Sequence, residues 1–510
     1  MSTPETNTFD LSHDRKQSMQ MGKLVPMLLI ETVPGDKFKI STAQMIRFAP
    51  MIAPVMHAVN VFTHYFFVPN RLVWPNWENF ITGGENGLDT SVFPFFVVPT
   101  NGIPEASVAD YMGVSRGSSA VGGTINVSAI PTAGYGMIYN EYYRDQNLIA
   151  KTAQSVIDGD NSLDAPLVVN FLGEPKYRAW EHDYFTSALP FTQKGPEATI
   201  PLGTEAPIIY RTSGLPTEVR NMAGGPYPLS GNIITPLASP SQTYGGGIDP
   251  MSFDISREHF TDLSSATAAG IIDLRRAFKL QEWLEKNARG GSRYVESILS
   301  HFGVRSSDAR MQRPEFLGGG KSTVSFSEVL QTSVSEATPQ GNMAGHGINV
   351  GQTNTVDFYA EEHGYIFGIM SIMPRTSYFQ GIPKHFFKFD KFDYFWPSFA
   401  QIGEQAIQNK ELYLQEDPAI NEEVFGYIPR YSEYKFLPST VHGKFKSNLD
   451  FWHMARRFST NPELNETFIN ARPTTRIFAN EEPDAEHVYA HIFHQISATR
   501  KMPYFGNSKL

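Results

Sequence analysis

The 510-residue chain contains no cysteine, so neither a disulfide framework nor a thiolate metal site can hold it together. Its stability must come from packing and from assembly. It also lacks a long hydrophobic run: no stretch approaches the ~18 apolar residues that a membrane span requires. The first residues, MSTPETNTFDLSHDRK, hold no apolar signal region, so the expected setting is the cytoplasmic side of any secretion route. Charge is sparse, at 18% of residues, and its balance is acidic, 42 Lys and Arg against 52 Asp and Glu. The formal net charge of -10 argues against a simple nucleic-acid coat held by bulk charge. There is no internal repeat and no low-complexity tract.

Glycine (41), proline (35), phenylalanine (37) and tyrosine (22) are plentiful, and 41% of residues are hydrophobic. That composition favours a loop-rich β protein with a sizeable core over a helical bundle or a disordered chain. Two strand-like aromatic blocks, Leu24 to Trp77 and Val356 to Phe399, stand far apart with a long Gly- and Pro-rich stretch between them. In the first, Val59, Val61, Thr63, Tyr65 and Phe67 fall on one face and Phe62, Phe66 and Val68 on the other. In the second, Tyr365, Phe367 and Ile369 alternate with Ile366, Met370 and Ile372. Both faces are apolar, so both must be covered, by a second sheet or by a neighbouring subunit. The pattern predicts a mainly β fold: one antiparallel β-sandwich with grown connections and a few helices.

Residues 1–22 are polar and aperiodic, and read as an N-terminal arm that orders only on a partner. Residues 23–82 carry the first sandwich strands, with the turn Val33-Pro34-Gly35-Asp36 between Leu24–Ile30 and Lys37–Ser41. Residues 83–320 read as long insertions, which in a compact domain tend to be functional. Helical spacing of Leu274, Phe278, Leu280 and Leu284, with Gly290-Gly291 beyond, predicts a helix over Ile271–Asn287, and Tyr294–Phe302 a shorter one. Pro207 to Asp262 is poor in charge and in large apolar residues, and reads as a projecting loop, the alternative being a segment packed along a neighbour. Residues 321–400 supply further strands. Residues 401–510 supply a helix at Gly403–Tyr413, a final strand at His487–Thr499 and a basic tail.

Gly318-Gly319-Gly320-Lys321-Ser322-Thr323 resembles the end of a phosphate-binding loop, but the required earlier glycine is Glu315. A flexible turn entering a strand, Thr323–Val329, is the better reading. His487, His491 and His494 lie on a β-rich segment, where residues four apart sit ~13 Å from one another, so structural histidines are expected. No HExxH zinc motif occurs. Adjacent pairs such as Glu361 and Glu362, or Glu422 and Glu423, point to opposite faces of a strand and suit solvent or an interface. Glu181, His182 and Asp183 beside Tyr184 form the most enzyme-like cluster, read as solvated loop residues.

Local charge departs from the acidic whole. From Asp273 to Arg313 there are nine basic and five acidic residues, and from Lys435 to Arg457 five basic and one acidic. Arg456 and Arg457 follow Phe451-Trp452-His453, mixing cations with rings as single-strand binders do. With Arg500 and Lys501 of the tail they are the candidate nucleic-acid contacts, the alternative being intersubunit salt bridges.

Several stretches together resemble the major capsid proteins of the microviruses, above all the gokushovirus-like branch. They are FDLSHDRK with GKLVP (Phe9 to Lys16, Gly22 to Pro26), VPGD (Val33 to Asp36), FFVPNRLVWPNW (Phe66 to Trp77), HDYFTSALPFTQKGP (His182 to Pro196), DLRRAF (Asp273 to Phe278) and ARGGSRY (Ala288 to Tyr294). They continue through SHFGV (Ser300 to Val304), RPEFLGGG (Arg313 to Gly320), EHGYIFGI (Glu362 to Ile369), IGEQAIQNKELY (Ile402 to Tyr413) and VFGYIPRYSEYKF (Val424 to Phe436).

The resemblance implies an eight-stranded jelly roll with long insertions, many copies of which close a T=1 icosahedral shell around circular single-stranded DNA. It implies a virion protein of a bacteriophage, assembled in the host cytoplasm, with a projecting insertion at Pro207 to Asp262 available for host attachment. Partners would be further copies, packaged DNA, minor virion and scaffolding proteins and a host surface receptor. Neither an enzymatic activity nor a cofactor or metal is expected. The alternative of a different class is a β-sandwich carbohydrate-binding or glycan-processing protein.

Overall fold

The computed structural model describes residues 5–115, 125–196, 198, 208–210, 259–261, 271–332, 343–480, 482 and 485–505, with backbone alone at 208–210 and 259–261. Eleven strands build two sheets: β1 (Asn7–Asp10), β2 (His13–Met19), β3 (Val25–Thr32), β4 (Lys37–Phe48), β5 (Val59–Pro69), β6 (Glu315–Thr323), β7 (Ser325–Leu330), β8 (Met343–Gln352), β9 (Val356–Tyr359), β10 (Gly364–Pro374) and β11 (Val488–Arg500). The larger sheet runs β1-β11-β4-β8-β7, with β2 also on β11 and β9 also on β4. The smaller runs β6-β5-β10-β3, and every pairing in both is antiparallel.

Strict alternation sets the faces. β11 buries Val488, Ala490, Ile492, His494, Ile496 and Ala498 and leaves the residues between them at least partly in solvent. Those inner residues, with Phe38, Ile40 and Ile46 of β4, meet Val59, Val61, Tyr65 and Phe67 of β5 and Ile366, Met370 and Ile372 of β10. The two sheets thus enclose one core, a mainly β sandwich. On the far face of the smaller sheet Phe66, Val68, Phe367 and Ile369 pack on Ile130, Ala133, Leu167 and Phe171, from the helices Ile130–Ile138 and Ala165–Leu172. Strands apolar on both sides are therefore covered by the second sheet and by an insertion of the same chain. Each large side chain so buried stabilises the fold by roughly 1.5–3 kcal/mol. The approach is close at Gly134, where a Cβ would stand 2.8 Å from the Phe367 ring.

A chain of hydrogen bonds crosses the core between the sheets. His494 Nε2 donates to the Met27 carbonyl at 3.0 Å, so its Nδ1 accepts from the Thr42 hydroxyl at 2.8 Å, and Tyr65 O–H donates to Thr42 Oγ1. Met27 and Tyr65 belong to the smaller sheet, Thr42 and His494 to the larger, so the chain ties the two together.

Four expectations change. Residues 7–19 of the polar arm are β1 and β2, paired along β11 within the chain. Their polarity is that of strands with one face in water. Glu315–Thr323 is a strand paired with β5 and not a turn; Gly319 fits because a Cβ there would lie 2.2 Å from the Thr63 carbonyl oxygen. Gly403–Tyr413 is helical only over Asn409–Leu412, since Glu404–Gln408 pairs with Val424–Pro429 and buries Ile407 completely. The aromatic run 384–399 forms short 3-10 turns outside both sheets, with Phe386, Phe389 and Trp396 exposed.

Gly195–Glu285 is a second compact unit. Within it Ile208–Tyr210 pairs antiparallel with His259–Thr261, and a helix starts at Ile271 and runs to Gly290. Most of Pro207 to Asp262 lies outside the described residues.

Candidate functional site

The four candidate cations occupy different settings. Arg456 is enclosed: its guanidinium lies 4.0 Å from the Phe468 ring centre, with Phe458, Trp180 and Tyr378 at 5.2, 5.3 and 5.9 Å. Its Nη2 donates to the Phe468 carbonyl at 2.7 Å. Such a cage holds a cation by ring quadrupoles and desolvation. The rings raise the question of stacking on bases, yet they are spent on the arginine.

Arg457 points the other way. It is 62% exposed and bonds Asp450 Oδ2 at 2.9 Å, a pairing worth at most about 1 kcal/mol in water and easily traded. Arg500 is fastened: Nε stands 3.2 Å from the buried Asp36 carboxylate, Nη2 donates to the Glu31 carbonyl, and the guanidinium covers Phe38. Lys501 follows it into solvent. The four are not gathered into one surface by direct contact; Arg500 and Lys501 end β11, while Arg456 and Arg457 lie in the C-terminal segment.

The other motifs resolve into structure. His487 bonds the Asn480 carbonyl and stacks on Phe478, His491 meets Asp14 on the outer face of the larger sheet, and His494 is the core histidine. Among the described residues no group of His, Asp and Glu could hold a metal ion. Asp183 is no solvated loop residue. Its carboxylate accepts from Thr376 and Tyr378 hydroxyls at 2.6 and 2.8 Å and from the backbone N–H groups of Phe185 and Thr186. Burial, with the Asp183 charge and its hydrogen bond adding to it, pushes the Tyr378 phenol well above its ordinary pKa. Glu362 pairs with Arg71 at 2.6 Å, and Glu422 with Lys410.

One string escaped the reading of the sequence. Gly113-Val114-Ser115-Arg116-Gly117 fits G-x-S-x-G by letters, but it follows the helix Val108–Met112, whose C-cap is Gly113 at φ 99°. A nucleophile elbow needs a strand before it and a helix after it.

A buried polar centre organises a satellite core of Tyr184, Phe185, Tyr378, Ile407, Phe425 and Ile428. Glu411, with 1% of its side chain exposed, accepts from Lys384 Nζ at 2.9 Å, from the Tyr184 hydroxyl at 3.0 Å and from the Gln408 backbone at 3.0 Å. Its signal in the sequence was faint, because the partners come from segments up to 227 residues away.

The model of the family described as capsid protein (F protein) matches residues 2–510. The chain is 38% identical to capsid protein VP1 of Bdellovibrio phage phiMH2K, over 98% of this chain and 94% of the relative. It is 33% identical to capsid protein VP1 of Chlamydia phage 1, over 99% and 95%, and 32% identical to that of Spiroplasma virus 4, over 90% and 86%.

Proposed function

Since the chain belongs to the capsid protein (F protein) family of the microviruses, we propose that it is the major subunit of a small icosahedral shell that encloses circular single-stranded DNA. The observation that carries this reading is similarity along nearly the full length of chain and relatives alike. The role is structural and non-enzymatic, in a virion assembled in the host cytoplasm, and minor virion and scaffolding proteins complete the particle. A sandwich whose core is closed within one chain suits it, because closed symmetry repeats each modest interface around the shell. An eight-stranded jelly roll forms the heart of the two sheets. The segment Pro207 to Asp262 projects outward for attachment to a host receptor, supported by the pairing of Ile208–Tyr210 with His259–Thr261 that brings its ends together. The carbohydrate-processing alternative has no comparable support.

Among the four candidate contacts, Arg457 and Lys501 are the ones free to meet phosphate. Arg457→Gln with Lys501→Gln should lower DNA per particle, read as the ratio of absorbance at 260 and 280 nm, while the yield of shells stays near wild type. Arg456→Gln or Arg500→Gln should instead lower the yield of shells. Equal loss of shells and DNA in the first pair contradicts their role in packaging.

A further inference from the structure

The outer face of the larger sheet is open, and its residues form a pattern. On β11 Tyr489, His491, Phe493, Gln495 and Ser497 point outward, and Tyr489 and Phe493 are 50% and 42% exposed. Register fixes their neighbours: Tyr489 lies between Ser18 of β2 and Arg47 of β4, and His491 between Lys16 and Met45. Further along β4, Lys39 and Lys37 stand opposite Ser497 and Thr499, and Tyr359 of β9 stands opposite Lys37, 51% exposed. Lys501 continues the line beyond Arg500.

Between β2, β11 and β4 the face dips into an open hollow of about 390 Å³ lined by Lys16, Gln17, Ser18, Met45, Arg47, Tyr489, Ala490 and His491. That is within the range of volumes that hold small ligands. Among the described residues no carboxylate lines it. Lys16 and Arg47 are exposed and have no carboxylate partner among the described residues, unlike Arg457 and Arg500, which pair with Asp450 and Asp36. The acids of this face are engaged or distant from the hollow: Asp14 bonds His491 at 3.0 Å, Asp10 accepts from the Ser12 N–H, and Asp357 stands opposite Lys39. In a chain of net charge -10, a sheet face with unpaired cations beside exposed rings is an exception that calls for an anionic, stackable partner.

We propose that this face, centred on Tyr489 with Lys16 and Arg47, binds single-stranded DNA, a base stacking on the Tyr489 ring while the two cations hold the flanking phosphates. The inference rests on the capsid reading and names the surface that faces the packaged strand. The physics is that of open-sheet single-strand binders: rings on central strands give sequence-tolerant stacking, and cations at the rim neutralise the backbone. A second copy of the chain is the weaker occupant, because lysine is depleted from the cores of protein interfaces and three lysines punctuate this face.

The test uses the full chain with fluorescein-labelled oligothymidylate, together with ultraviolet crosslinking of purified particles and mass spectrometry of the peptides. Nucleotide adducts should fall on 13–19 and 488–500. Lys16→Gln with Arg47→Gln should make the dependence of log affinity on log salt shallower by about 1.4, from ~0.7 per phosphate contact on a single strand. Tyr489→Ala should weaken binding about tenfold, and Tyr489→Phe should restore it, which separates stacking from any loss of folding. Particles that carry DNA with adducts only elsewhere, and an unchanged salt slope, overturn the inference and leave the capsid reading intact. Variants that lose shells while those formed keep wild-type DNA overturn it in favour of a contact between copies. Failure of the unaltered chain to form particles overturns the capsid reading itself.

Discussion

Glu411→Ala will destabilise the protein by about 3–5 kcal/mol, the cost of stranding one partner of a buried ion pair. The carboxylate is the acceptor for Lys384, for the Tyr184 hydroxyl and for the Gln408 N–H, and alanine leaves all three without it. Lys384 keeps only the Ala406 carbonyl, at 3.4 Å. Since whole domains are stable by about 5–15 kcal/mol, this is a large share of the total. Glu411→Gln keeps the shape and one acceptor oxygen and should cost less than half as much. Urea denaturation of the unassembled chain measures both, and equal midpoints for wild type and Glu411→Ala would show that the satellite core does not depend on this centre.

Acid will loosen the sandwich through His494. Burial, with the positive neighbours His13 and Arg15 adding to it, lowers its pKa from the usual 6.5 to about 4, against the opposing bond to Met27. In the unfolded chain the imidazole takes up its proton near 6.5, so the unfolded state binds the proton first as the pH falls. The stabilisation is therefore complete above pH 6.5 and is lost as the pH drops to about 4, some 3 kcal/mol in all. Protonation would also turn Nδ1 into a donor facing the Thr42 hydroxyl, which then loses the acceptor for its own proton. His64, lowered to about 4 by burial and by Arg178, adds in the same direction. His494→Gln should flatten the dependence of the denaturation midpoint on pH between 4 and 6.5; an unchanged slope would assign the acid sensitivity to other groups.

The sandwich was legible because alternation is a property of neighbouring residues. Val59 to Val68 and Tyr365 to Ile372 declare two buried faces by letters alone, and β11 was found within one residue at each end. What covered the faces was not legible: the helix at Ile130 carries Gly134 and Gly136 inside it, and glycine lowers helix propensity. The strand at Glu315 hid for a related reason, since a glycine triplet has little β propensity and is there for backbone approach to Thr63. Glu404–Gln408 holds helix-tolerant residues, but its pairing with Val424–Pro429 outweighs propensity.

The candidate site was the least legible part. Arg456 next to Trp452 and Phe451 looks like a stacking site in sequence, whereas the rings it meets are Phe468, Phe458, Trp180 and Tyr378. Conversely Tyr489 lies hundreds of residues from Lys16 and Arg47 and meets them only through strand register. Local spacing reports faces of single strands; surfaces made across a sheet need the pairing.

Electron cryo-microscopy of purified particles, with nuclease treatment before extraction of the nucleic acid, tests the central claim most directly. Closed icosahedral shells built from this chain are expected, with circular single-stranded DNA recovered intact. A chain that stays a monomer or dimer, or shells whose nucleic acid is fully digested, would contradict it.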